Sequence, residues 1–210
     1  MSKKHDHPTS LLLVEGKNDL HVISSLCNQF NIPECFSIKD CESVEKLEAQ
    51  IPVQFKASKS ILGIIVDADT DLQARWDSVK SILQDIGFVV PKTLPENGLI
   101  ISDSDGIRRV GVWIMPNNNL NGMLEDFISF LVPKDDQLLA IVDNTLNDIE
   151  RNRLNKYSLT HKSKARIHSW LSLQEDPGSP LGQGITKRYL TTDEETCKKL
   201  MNWITNLFCV

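Results

Sequence analysis

Leu-Leu-Val-Glu-Gly-Lys-Asn-Asp at residues 12–19 and Ile-Ile-Val-Asp-Ala-Asp-Thr-Asp at residues 64–71 decide how this chain is read. Each starts in an apolar run and breaks off at an acidic residue. The run at 11–14 stops at Glu15-Gly16, and the β-branched run at 60–66 stops at Asp67-Ala68-Asp69. Short continuous apolar runs read as strands buried on both faces. Each is followed by apolar residues at helical spacing. These are Leu20, Ile23, Leu26 and Cys27 after the first, and Trp76, Val79, Ile82, Leu83 and Ile86 after the second. Asn18 reads as the N-cap of a helix over 19–30, which Asn31-Ile32-Pro33 ends. A short strand at 35–39 and a helix at 43–50 follow, with Val44, Leu47 and Ile51 inward. Asp71 reads as the cap of a helix over 72–86, stopped by Gly87. Residues 88–90 begin the next strand. Strands alternating with amphipathic helices predict an α/β fold with a mostly parallel sheet flanked by helices.

The second half reads differently. Residues 98–102 and 107–115 flank Asp103-Ser104-Asp105-Gly106, a hairpin signal. Helices are then expected over 120–131, 133–153 and 161–173, and a last one runs from an Asp193 cap through Phe208. Residues 172–184, rich in glycine and proline, read as a long, mobile loop. The organisation expected is a single domain over 10–210. Its core spans 11–115, and a helical extension over 117–210 packs on the sheet. Residues 1–9 read as a flexible terminus, where His5 and His7 around Asp6 form only a weak metal tract.

Composition narrows the class. The 210 residues are 40% hydrophobic and 24% charged, enough for a real core. No apolar run approaches the roughly 18–20 residues that span a bilayer. The polar N-terminus lacks a signal-peptide core, so a cytoplasmic protein without membrane contact is expected. The five cysteines include no CxxC pair, so neither a disulfide framework nor a thiolate zinc site is indicated. The net charge of −5 argues at first against nucleic acid as a partner.

The acidic residues stand where open parallel sheets bind ligands, past the carboxyl ends of strands and where strand order reverses. Glu15 follows the first strand, and Asp67 and Asp69 follow the third. Two residues apart in extended chain, Asp67 and Asp69 would face the same way. Asp19 lies about one helical turn beyond Glu15. Gathered carboxylates repel one another, and a hard divalent cation makes them tolerable. The ordinary roles of such residues are caps and turns for the aspartates after strand three, and dipole complementation for Asp19.

The two motifs together, in order and in strand context, resemble the TOPRIM family. That family includes topoisomerases, bacterial primases, the 5S ribosomal RNA maturase and the OLD-type nucleases. Its signature is a Glu, usually followed by Gly, after the first strand, and Asp-x-Asp after the third. The likeness covers about the first half of the chain, and the chain is similar to small stand-alone TOPRIM proteins akin to the OLD nucleases. The resemblance implies a Mg²⁺ or Mn²⁺ site built from Glu15, Asp19, Asp67, Asp69 and Glu125, with Glu15 and Lys164 as catalytic residues. Glu125 comes from Leu124-Glu125-Asp126, which resembles a later acidic element, whereas Asp126 falls on the opposite flank of that helix. A solvated acidic pair accounts for these two equally well, and a snorkelling side chain accounts for Lys164. The chain has no Gly-x-x-x-x-Gly-Lys-Ser/Thr phosphate loop, so any nuclease activity works alone or with a partner protein.

Residues 151–170 hold six basic residues and no acidic one, so the charge is segregated. Lys162, Lys164 and Arg166 are therefore candidates for contact with DNA or RNA, against the reading of a solvated helix face. Two further functions stay open: a non-catalytic binding or regulatory module, and a primase-like nucleotidyl transferase.

Overall fold

The computed structural model describes residues 9–57 and 60–209. The tract with His5 and His7 lies outside them. Five strands form one sheet: β1 (Ser10–Val14), β2 (Ser37–Asp40), β3 (Ile61–Asp67), β4 (Leu99–Ser102) and β5 (Arg109–Met115), in the order β2-β1-β3-β5-β4. All neighbours are parallel except the hairpin partner β4. The described helices are α1 (Lys17–Gln29), α2 (Val44–Lys56), α3 (Leu72–Asp85), α4 (Leu124–Phe130), α5 (Gln137–Arg151), α6 (Lys162–Ser172), α7 (Leu181–Thr186) and α8 (Glu195–Phe208). This is the mixed α/β architecture expected, with a mostly parallel sheet. Among the described residues no helix is long and apolar enough to cross a membrane.

Why the strands are apolar throughout is visible in their parity. Leu11 and Leu13 of β1, Leu62, Ile64 and Val66 of β3, and Val110, Val112 and Ile114 of β5 face one side, under α2 and α3. Leu12, Val14, Ile65, Trp113 and Met115 face the other, under α1 and the C-terminal helices. Side chains alternate along a strand, so a sheet covered on both faces needs apolar residues at every position. On the second face Gly63 and Gly111 stand side by side in register. A Cβ at Gly63 would lie 2.7 Å from Leu12 and 2.8 Å from Phe208, and one at Gly111 would lie 2.6 Å from Leu207. The two glycines form the trough in which α8 lies.

Several element boundaries differ from expectation, each for a physical reason. Residues 88–90 form no strand; Phe88 drops into the core at the end of α3 and the chain runs irregularly to β4. The helix expected over 19–30 starts at Lys17 with Gly16 as its cap, so Asp19 falls in its first turn. α2 continues through Pro52 because Ile51 and Phe55 are buried beyond it. The helix expected from 120 starts at Leu124, leaving Leu120 exposed. The expected loop at 172–184 contains the start of α7. There Gly182 packs so closely on α1 that a Cβ would sit 2.7 Å from the carbonyl oxygen of His21. Asp193 does not cap α8; Glu194 holds that position and makes no side-chain cap bond.

Candidate functional site

The sheet order places the reversal between β1 and β3. From β1 the chain crosses outward to β2, then returns on the other side to β3. A crevice opens there beyond the carboxyl ends of both strands. It holds a cavity of about 340 Å³ lined by Glu15, Asp19, Asp67, Glu125 and Lys164, together with Lys17, Asn18, Glu42 and Ser43. Glu15, Asp19, Asp67, Glu125 and Lys164 thus converge from the ends of β1 and β3 and from α1, α4 and α6.

Glu15 leaves the end of β1 and accepts a hydrogen bond from the Asp67 amide through Oε1, at 2.7 Å. Asp67 ends β3 and accepts from the Leu124 amide through Oδ1, at 3.0 Å. That bond fastens the start of α4 to the end of β3. Each carboxyl group uses one of its oxygens in this way, which leaves the other for the cavity. Asp19 is buried in the first turn of α1. Glu125 is 1% exposed, and its Oε1 lies 3.2 Å from Lys164 Nζ. Its Oε2 is buried with no hydrogen-bond partner. A buried oxygen of this kind calls for a proton, a water or an ion to satisfy it.

The electrostatics follow from crowding and burial. Asp19 is pushed up to about 7, first by loss of solvent and then by Glu15 and Glu125. Asp67 is raised well above the carboxylate range by burial and by Asp19, Glu15 and Glu125. Burial also raises Glu15, against the pull of the Asp67 amide and Arg75. Burial disfavours the ammonium of Lys164, but Glu125, Asp67 and Asp19 outweigh it and shift the lysine upward. Such a cluster is a strong attractor for positive charge.

Asp69 does not line this cavity, although its charge still raises Glu15 and Asp67. Its φ of 52° is left-handed, so the extended geometry that would align it with Asp67 is broken. Its amide and carbonyl pair with Gly122 across two bonds of 2.8 Å. Its carboxylate turns to Arg75 Nη2 at 3.2 Å and borders a neighbouring cavity with Thr70, Asn121, Asp126 and Ser163. Asp126 faces that second cavity, accepting from the Met123 amide and the Ser163 hydroxyl. Glu125 and Asp126 thus lie on opposite flanks of α4, in different cavities, and Glu125 is buried.

The basic residues are also engaged. Lys162 Nζ contacts Glu150 at 2.7 Å and Asn147 at 3.0 Å. Arg166 grips both oxygens of Asp143, its Nη2 at 2.9 Å. These pairs join α6 to α5, so Lys162 and Arg166 are part-exposed and ion-paired rather than free cations. Lys164 alone of the three turns toward the acidic cavity. Two residues escape a sequence reading. Arg75 touches both the Asp67 carbonyl and Asp69, and His168 Nε2 lies 3.9 Å from Glu125 Oε1. Spacing was the only available signal for His168, four residues after Lys164 on α6.

Among the described residues, no group of three or more His, Cys, Asp and Glu side chains is arranged to hold one metal ion. Carboxylate oxygen is the ligand type that hard divalent cations prefer.

A search of curated proteins found no match. Among solved structures, the chain is similar to the C-terminal region of the OLD protein of Xanthomonas campestris pv. campestris. The identity is 13% and the TM-score 0.45, over 97% of this chain and 98% of that one. A family model described as "Protein of unknown function (DUF3226)" matches residues 9–209, and the chain belongs to that family.

Proposed function

We propose that this protein is a divalent-metal-dependent phosphodiester-cleaving protein with a TOPRIM-like core, acting on DNA or RNA. The observation that carries the reading is the convergence of Glu15, Asp19, Asp67 and Glu125 with Lys164 at the β1/β3 switch point, with Glu125 Oε2 buried and unpartnered. It agrees with the TOPRIM-like motif pair in the sequence. Glu15, Asp19, Asp67 and Glu125 would hold Mg²⁺ or Mn²⁺, which supplies Lewis-acid polarisation of the phosphoryl group and neutralises charge. The half-exposed Lys164, oriented by Glu125, offers its ammonium to a phosphate oxygen at the cavity mouth. Glu15, tied to the Asp67 amide by one oxygen, keeps the other to accept a proton or a cation. Phosphoryl chemistry asks mainly for positioning and charge neutralisation, and these residues supply both.

The test is incubation of purified protein with labelled single-stranded DNA, double-stranded DNA and RNA in Mg²⁺ or Mn²⁺. Cleavage is expected, lost with EDTA and reduced about a hundredfold or more in Glu15→Gln and Asp67→Asn. Cleavage that survives both EDTA and Glu15→Gln would overturn the reading.

One observation favours a second reading, a non-catalytic binding or regulatory module. Glu15 and Asp67 are each bonded to main-chain amides, and no metal-holding cluster is formed among the described residues. Calorimetry with Mg²⁺ and Mn²⁺ separates the two. Binding by the wild type that Asp67→Ala abolishes supports the metalloenzyme; no binding by the wild type supports the module.

A further inference from the structure

We propose that Arg75 is the positioning residue of the acidic cavity, holding the turn after β3 so that Asp67 faces the carboxyl cluster while Asp69 is kept outside it. The proposal rests on the metal-dependent reading of that cavity. Arg75 is the fourth residue of α3, and its side chain is 16% exposed. Its fork makes three separate contacts. Nε donates to the Asp67 carbonyl at 2.9 Å, Nη2 to Asp69 Oδ2 at 3.2 Å, and Nη1 to Glu48 Oε1 at 3.3 Å. Glu48 is braced in turn by the Ser78 hydroxyl at 2.9 Å. The guanidinium is thus fixed from behind by α2 and α3, and it grips both ends of the Asp67-Ala68-Asp69 turn in front.

The turn needs such a grip. Asp69 is a non-glycine residue in left-handed conformation, held by its bridge to Gly122. On the other side Asp67 binds the Leu124 amide, which begins the helix carrying Glu125. A shift of the turn would therefore move Asp67 and the start of α4 together. A lysine carries its three donors on one nitrogen and cannot span these separated acceptors, whereas the planar fork reaches all three. Asp69 then holds Arg75, and it adds charge to the carboxyl cluster without lining its cavity.

The experiment measures Mn²⁺ affinity by calorimetry, and amide hydrogen exchange by NMR, in wild type, Arg75→Gln, Arg75→Lys, Asp69→Asn and the Gln/Asn double variant. Arg75→Gln and Asp69→Asn are each expected to lose about tenfold or more in Mn²⁺ affinity, the scale of an outer partner of a metal site. The double variant should lose no more than Arg75→Gln alone, because both act through one contact. Arg75→Lys should recover part of the affinity. Amides of Asp67 and Leu124 should exchange faster in Arg75→Gln. Mn²⁺ affinity within twofold of wild type, or additive losses in the double variant, would overturn the proposal. Should Arg75→Gln fail to fold, the half-exposed Asp69→Asn carries the affinity test. A wild type that binds no Mn²⁺ defeats the metal-dependent reading, while the exchange data still decide whether Arg75 holds the turn.

Discussion

Asp19 shows how far a neighbourhood changes a side chain. In the sequence it is an acidic residue suited to the first turn of a helix. In the fold it is buried beside Glu15 and within reach of Glu125, and its pKa rises to about 7. In the unfolded chain the same group ionises near the ordinary aspartate value. Between those two values the folded state binds the extra proton. Stability is therefore fully present below the unfolded pKa and is lost as pH rises through about 7. Thermal melts of the metal-free protein between pH 5 and pH 9 should show the melting temperature falling with pH, and Asp19→Asn should flatten the slope. A profile rising from pH 5 to pH 9 would contradict the burial of these carboxyls. Lys164 is the natural counterpart. Its removal leaves Glu125, 1% exposed, without its ammonium. Lys164→Met should cost on the order of 1–3 kcal/mol in denaturant unfolding, less than a fully buried pair because the lysine is half-exposed. At this scale Glu15 and Asp67 were legible, since each ends an apolar strand. The turn of Asp69 was not, because a left-handed residue outside glycine leaves no mark on spacing.

The helices α5 and α6 show the same limit one level up. Their basic residues read as a patch when counted along the chain. The acidic partners, Asp143 and Glu150, lie on α5, before the counted segment begins. Packing brings the two helices together and turns apparent excess charge into ion pairs. Arg166→Gln should accordingly lower stability by about 1 kcal/mol, as expected for a partly buried bidentate pair. Chemical denaturation checks this. An unchanged midpoint, together with a reduced salt slope in nucleic-acid binding, would return Arg166 to the role of a phosphate contact. Helix boundaries failed for kindred reasons. Gly182 sits in a run of polar and helix-breaking residues, yet α7 forms because the missing side chain lets it lie against α1. Propensity is a weak prior where a close approach decides the outcome.

For the molecule as a whole, α8 holds the C-terminal half on the sheet. Trp203, Leu207 and Phe208 press into the trough left by Gly63 and Gly111, and Trp203 Nε1 donates to the Leu99 carbonyl at 2.9 Å. Gly111→Val should destabilise by about 1–3 kcal/mol, since the new methyls have no room against Leu207 and Trp203. A loss this size is readable as a lowered denaturation midpoint, and an unchanged midpoint would mean that α8 does not seat there. The site depends on this assembly: β1 and β3 supply Glu15 and Asp67, α1 supplies Asp19, and the helices beyond the sheet bring Glu125 and Lys164. What the sequence determined by itself is the local pattern, strands ended by acidic residues and followed by amphipathic helices. Those features depend on neighbours along the chain, where alternation and helical period are written directly. Membership of the cavity was set instead by packing between elements far apart in the chain. Glu125 and Lys164 entered, Asp69 turned to Arg75, and Lys162 and Arg166 were taken by α5. Burial and charge pairing act between residues distant in sequence, and no spacing rule reaches across that distance.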